Sequence, residues 1–154
     1  MTETKFLTRE GYEKLQQELE YLRTERRAQV ADQIRIAKED GDLRENAGYE
    51  NAKLEQAFVE GRIQTIEEIL KYAQIIKHDG NSDAVALGAT VIVQEESYEP
   101  ETFQIVGSAE ANPSVGRISH ASPLGRALLG RRVGDVVDVN TPGGVSSFEI
   151  IEIK

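Results

Sequence analysis

Apolar residues recur at steps of three and four along two stretches of the chain, and the period changes in its second half. The first stripe is Leu15, Leu19, Leu22, Val30, Ile34 and Ala37, with Arg26 on the seam between Leu22 and Val30. The second is Leu54, Val59, Ile63, Ile66, Leu70 and Ala73. Such spacing puts side chains on one face of an α-helix. It predicts one helix from about Thr8 to Asp40 and a second from Glu45 or Asn46 to about Lys77. Thr8 is placed as the N-cap of the first, with Glu10 in its first turn where the helix dipole favours a negative charge. The stripes match in reverse order. Leu15 with Ala73, Leu22 with Ile66 and Ile34 with Leu54 share one total of residue numbers, and Leu19 with Leu70 and Val30 with Val59 a total one higher. The arms therefore fold back on each other about a point near Arg44. At a rise of about 1.5 Å per residue each arm is roughly 50 Å long.

The fold point lies in Glu39-Asp40-Gly41-Asp42-Leu43-Arg44-Glu45-Asn46. Glycine is costly inside a helix and neighbouring like charges repel, so this stretch suits a turn. After Lys77 the run His78-Asp79-Gly80-Asn81-Ser82 carries helix-stop residues and marks the domain boundary, dividing the chain into 1–79 and 80–154. Beyond it the period shortens to two. Ala89–Gln94, Thr102–Val106, Arg117–His120, Val136–Val139 and Phe148–Ile153 read as strands, the last two joined by a turn at Thr141–Gly144. Ser122 to Gly130 reads as a short helix with Ser as cap, Pro at the first helical position and Gly after its end. The fold class is α+β in two domains, an antiparallel helical hairpin followed by an antiparallel sheet with one short helix. Met1 to Leu7 reads as a lead-in.

Composition narrows the chemistry. The chain has 154 residues, no cysteine and a net charge of −9. Thiolate metal sites and cysteine nucleophiles are excluded, and the cysteine-free composition fits a reducing cytoplasm. No apolar run reaches membrane-spanning length and no signal peptide is visible, so no membrane contact is expected. A cytoplasmic location and a monomer are expected. The acidic balance argues against broad nucleic-acid binding. Arg23, Arg26 and Arg27 form a basic cluster on the first arm, read as a solvated face ahead of a phosphate contact, with Arg26 snorkelling. His78 and His120 have no metal-ligand partner at useful spacing.

The acidic stretch is the candidate site. Asp42 and Glu45, three apart at the start of the second helix, can bring their carboxylates together. Two hard oxygen ligands suit Mg²⁺, weakly, unless another molecule completes the coordination. Acidic residues are also common at helix starts for the sake of the dipole, and spacing alone does not separate the two readings. A calcium EF-hand fails, because Arg44 and Asn51 stand where ligands belong.

The motifs Gly41-Asp42-Leu43-Arg44-Glu45-Asn46-Ala47-x-Tyr49, Phe58-x-Glu60-Gly61-Arg62-Ile63, Gly88-Ala89-Thr90-Val91, Ser122-Pro123-Leu124-Gly125-Arg126-Ala127-Leu128-Leu129-Gly130 and Thr141-Pro142-Gly143-Gly144 resemble those of bacterial Gre transcript cleavage factors of the GreA type. The resemblance covers essentially the whole chain. It implies an N-terminal antiparallel coiled coil (1–79, acidic tip near 40–46) and a C-terminal FKBP-like domain (80–154) that docks on RNA polymerase. It implies that the coiled coil enters the polymerase secondary channel and stimulates cleavage of backtracked RNA 3′ ends by the polymerase itself. The protein is then not an enzyme on its own. It meets the nascent RNA 3′ end and the DNA of the transcription complex only indirectly. Asp42 and Glu45 match the paired tip acids that help hold a Mg²⁺ shared with the polymerase, with no cofactor bound tightly. Gly41, Asn46 and Tyr49 match tip-shaping positions, and Ser122, Pro123 and Leu124 the polymerase-docking loop. Three positions depart from the family pattern: Gly48 where Glu is usual, Asp40 where His is usual, and Ala28 where Pro is frequent. A channel-blocking inhibitor of the polymerase and an FKBP-like chaperone or binding module are the alternatives.

Overall fold

The computed structural model describes residues 4–40, 46–78 and 83–154. It divides into two compact units, Tyr12–Tyr72 and Met1–Gly11 with Ala73–Lys154.

The first unit is the helical hairpin. Helix α1 (Arg9–Tyr21) enters it and leads through a π-helical turn (Leu22–Arg26) into α2 (Arg27–Glu39), and α3 (Ala47–Lys71) returns. The π turn explains the wide step from Leu22 to Val30. Two α-helical turns take about 7.2 residues, and a π turn absorbs the extra one, so Val30 comes back onto the seam. Leu19, Leu22, Val30, Val59, Ile63 and Ile66 form the buried seam, with Leu15, Ile34 and Leu70 packed at its edges. Ion pairs run from arm to arm, and those nearer the start of the first arm, Glu18 to Arg62 and Arg23 to Glu67, reach further along α3 than Arg26 to Glu55 and Arg27 to Glu60, as antiparallel arms require.

Two positions of the second stripe are corrected. Leu54 is 69% exposed, and Ala52 takes the seam position in its place. Five residues separate Leu54 from Val59, a step that turns a side chain about 140° away from the seam, whereas seven residues lead back to Ala52. Ala73 is not helical. α3 stops at Lys71, and β2 (Ala73–Ile75) pairs in parallel with β1 (Lys5–Leu7). The ladder continues with the Ile76 N–H donating to the Leu7 carbonyl at 2.7 Å. The lead-in is therefore a strand. It belongs, with the described residues from Ala73 to His78, to the sheet unit and not to the hairpin, which shifts the 1–79 and 80–154 division.

In that unit a five-stranded sheet has the order β5-β4-β3-β7-β6, from β3 (Thr90–Glu95), β4 (Glu101–Val106), β5 (Arg117–Ser119), β6 (Val136–Thr141) and β7 (Gly144–Ile153). It is antiparallel except at the β4–β5 edge, which is parallel. Two short 3₁₀ turns, Ser108–Glu110 and Pro113–Val115, carry the chain back so that β5 starts in the direction of β4. Val91, Val93, Ile105, Ile118, Val137, Val139 and Ile150 form the core with Leu128 of α4 (Pro123–Leu128). β1 is fastened by Glu110, whose side chain is 7% exposed and ion-paired to Arg117 at 2.6 Å. The same carboxylate accepts from the Thr8 N–H at 2.5 Å and the Thr8 hydroxyl at 2.6 Å. Thr8 in turn caps α1, its Oγ1 accepting from the Gly11 N–H at 3.0 Å.

Candidate functional site

The arms reverse between Asp40 and Asn46. Gly41, Asp42 and Glu45 fall outside the described residues, and the structure describes their two flanks. α2 ends on Asp40, whose N–H reaches back to the Ile36 and Ala37 carbonyls at 3.2 and 3.3 Å. Asn46 is the N-cap of α3. It has extended backbone geometry, and its Oδ1 accepts from the Tyr49 N–H at 3.0 Å. Its Nδ2 donates to the Ala37 carbonyl, one of the last of α2, at 2.6 Å. One side-chain amide therefore adds a second, shorter hydrogen bond to a carbonyl at the end of one arm and satisfies an orphan donor at the start of the other. Aspartate could cap α3 here but would lack the N–H for Ala37.

Tyr49 enters this geometry through its backbone, with its ring half-buried. Gly48 is exposed. A Cβ added there would lie 3.3 Å from Asn46 Oδ1, so the glycine leaves room for the cap. Below the reversal Arg35 binds Asp32 at 2.7 Å and Glu39 at 3.0 Å, the latter as its helical spacing predicts. Both hydrogen bonds raise the affinity of the guanidinium for its proton.

The arginine cluster is engaged by glutamates of the facing arm. Arg23 binds Glu67 at 2.8 Å, Arg26 binds Glu55 at 2.5 Å, and Arg27 holds Glu60 through both Nε and Nη2 at 2.9 and 2.8 Å. Arg62 grips Glu18 in the same forked way. Every one of these pairs crosses the hairpin. The Arg27 hydrogen bond holds the Glu60 carboxyl below the usual range, against a smaller opposing effect of burial.

The second candidate, the loop before α4, lies in the sheet unit. Ser122 Oγ accepts from the Gly125 N–H at 3.1 Å and donates to the Ser119 carbonyl at 2.7 Å, so the residue is the expected helix cap. Pro123 is exposed at the first helical position, and Leu124 is half-buried against the sheet core. Gly125 is required by close approach, since a Cβ there would fall 2.1 Å from the Ser119 carbonyl oxygen. His120 stacks edge-on against Phe6 with ring centroids 5.4 Å apart, which ties the loop to β1. His78 Nε2 lies 2.9 Å from the Lys154 carbonyl. Among the described residues no cluster of His, Asp and Glu is placed to hold a metal ion, and no helix is long and apolar enough to cross a membrane.

Comparison with known proteins covers both units. Residues 5–75 match the family model described as "Transcription elongation factor, N-terminal", and residues 80–154 the one described as "Transcription elongation factor, GreA/GreB, C-term". The transcription elongation factor GreA of Thermoanaerobacter pseudethanolicus is 51% identical, covering 100% of this chain and 99% of its own. GreA of Bacillus subtilis is 49% identical over 96% of this chain and 95% of its own. Among solved structures, GreA factor homolog 1 (Gfh1) of Thermus thermophilus is 39% identical, with 99% of each chain covered and a TM-score of 0.45. With its hairpin half and its sheet half each matched by a model of the same family, and relatives of about half identity spanning it nearly end to end, the chain belongs to the GreA/GreB transcription elongation factors.

Proposed function

We propose that this transcription elongation factor binds RNA polymerase and sends its helical hairpin into the secondary channel. There Asp42 and Glu45 complete a Mg²⁺ site and stimulate the polymerase's own cleavage of backtracked RNA 3′ ends. The observation that carries this reading is Asn46. By bonding both the end of α2 and the start of α3, it fixes the reversal of the hairpin at the acidic stretch. Glu45 directly precedes that cap, and Asp42 lies three residues before Glu45.

The donor chemistry fits the ion. Mg²⁺ takes hard oxygen ligands, commonly one or two carboxylates, and keeps several waters. Asp42 and Glu45 would hold such an ion together with ligands from the partner, and its chemistry would be to polarise a water near a phosphodiester. The chain's own part is to carry the carboxylates at the end of a braced rod. The cross-arm pairs hold the rod together and leave its arginines engaged with glutamates instead of phosphates. Ser122, Pro123 and Leu124 form the docking loop in this reading, with exposed Pro123 as the contact and Ser122 as the cap that shapes it.

The test is RNA cleavage in a purified backtracked complex. The parent protein should accelerate cleavage. The Asp42→Asn, Glu45→Gln double variant should lose at least 100-fold of that acceleration while binding polymerase with similar affinity. Full stimulation by the double variant would refute the role of the pair. Inhibition of cleavage by the parent would identify a channel blocker.

A further inference from the structure

The outer face of α3 carries an exposed stripe that makes no ion pair among the described residues. Asn51, Leu54, Ala57, Phe58, Gly61 and Thr65 follow one another at helical steps, all are exposed, and none is charged. Leu54 and Phe58, one turn apart, are 69% and 68% exposed. This is unusual on a hairpin whose other faces are laced with ion pairs, in a chain that is 29% charged. Gly61 is a second, independent anomaly. Apart from proline, glycine is the poorest residue for a helix interior. A glycine there is ordinarily explained by close packing, yet a Cβ at Gly61 would meet nothing within 4 Å. No packing among the described residues accounts for this glycine.

We propose that this stripe is the face by which the hairpin seats against an uncharged, apolar segment of the RNA polymerase channel wall, with Leu54 and Phe58 as anchors and Gly61 as the point of closest approach. The inference rests on the channel-insertion reading given above. Nucleic acid is a poor occupant, because the stripe offers no cation to a phosphate. A second copy of the chain is also a poor occupant. The stripe is about 20 Å long and about 10 Å wide, roughly 200 Å², against about 800 Å² per partner in a stable complex. Two copies would each bring a net charge of −9. A surface of that size works as one part of a larger contact whose other parts, the tip and the α4 loop, hold the partner too.

The experiment measures the affinity of purified core RNA polymerase for the parent, for the Leu54→Gln, Phe58→Gln double variant and for Gly61→Leu. Thermal melting and sedimentation of each free protein accompany the titration. Gly61→Leu is the decisive arm, since the free protein has room for the side chain and the helix favours leucine over glycine. Its melting temperature should be unchanged or higher, while its affinity for polymerase falls at least 10-fold. The double variant should lose affinity to a similar degree. If the parent binds and both variants bind equally well, the stripe proposal is overturned and the channel reading stands. If the parent does not bind polymerase, the channel reading fails and the proposal falls with it. If the parent sediments as a dimer that the variants dissociate, the occupant is a second copy and the proposal is wrong.

Discussion

The hairpin and the sheet unit solve the same stability problem with different materials. The sheet unit encloses its core, with Val91, Val93, Ile105 and Leu128 fully buried between strands and α4. The hairpin has one buried seam, and among the described residues four ion pairs cross it. Exposed pairs of this kind contribute little each, on the order of 0.2–1 kcal/mol. Their value lies in register: a slip of one arm by a turn would break all four together. A thin seam with charged flanks keeps the hairpin narrow.

The contrast can be broken most forcefully in the two cores. Replacing a buried isoleucine by alanine costs about 2–5 kcal/mol, more where the surroundings cannot collapse. Ile105 and Ile66 are both fully buried. Ile105→Ala should fall at the upper end of that range, because the sheet core is closed on all sides. Ile66→Ala should fall at the lower end, because the seam can relax toward solvent. Denaturant unfolding of both variants measures the difference, and equal losses would contradict the distinction.

A smaller effect tests how β1 is held in the sheet unit. A Cβ on residue 107 would lie 1.7 Å from the Phe6 carbonyl oxygen. Backbone cannot swing aside like a flexible side chain, so Gly107→Ala should cost about 1–3 kcal/mol, the usual range for overpacking. Amide exchange should rise in β1 and β2 before it rises in β3 or β7. Smaller again is Asn46→Ala at the reversal of the hairpin, expected to cost about 1 kcal/mol as a lost N-cap. It should speed exchange at the Tyr49 amide, and it should reduce cleavage stimulation more than polymerase affinity. Asn46→Asp separates the two bonds, since it keeps the cap of α3 and gives up the tie to Ala37.

The smallest effect concerns protons. Glu60 is held below its ordinary pKa by Arg27. A carboxylate whose folded pKa is depressed adds stability above its unfolded pKa, and that stability is lost as pH falls through the folded value. Acidification should therefore loosen the Arg27–Glu60 pair. Carboxyl NMR titration should find Glu60 below the usual glutamate range in the parent and within it in Arg27→Gln.

Much of this architecture was legible in the residue pattern. Periods of three and four marked both arms, matching stripes gave the antiparallel pairing, and Ser122-Pro123 announced a capped helix. Leu54 was misplaced because hydrophobicity alone does not say which face a residue occupies once the step departs from three or four. The small residue Ala52 carried the true phase. The cross-arm partners of Arg23, Arg26 and Arg27 were invisible because spacing on one helix cannot reveal a glutamate facing it from another.

By itself the sequence determined the local elements and their order, since periodicity, capping residues and turn residues act over a few neighbours. It also determined the family, through motifs spread over both halves. Tertiary structure alone decided that Lys5–Leu7 is a strand, because its hydrogen-bond partners at Ala73–Ile75 lie far along the chain, on the other side of the whole hairpin. It alone decided that Asn46 serves both arms, and that Leu54 and Phe58 face outward. These outcomes depend on which distant groups come within hydrogen-bond or contact range, and that distance exists only once the chain has folded.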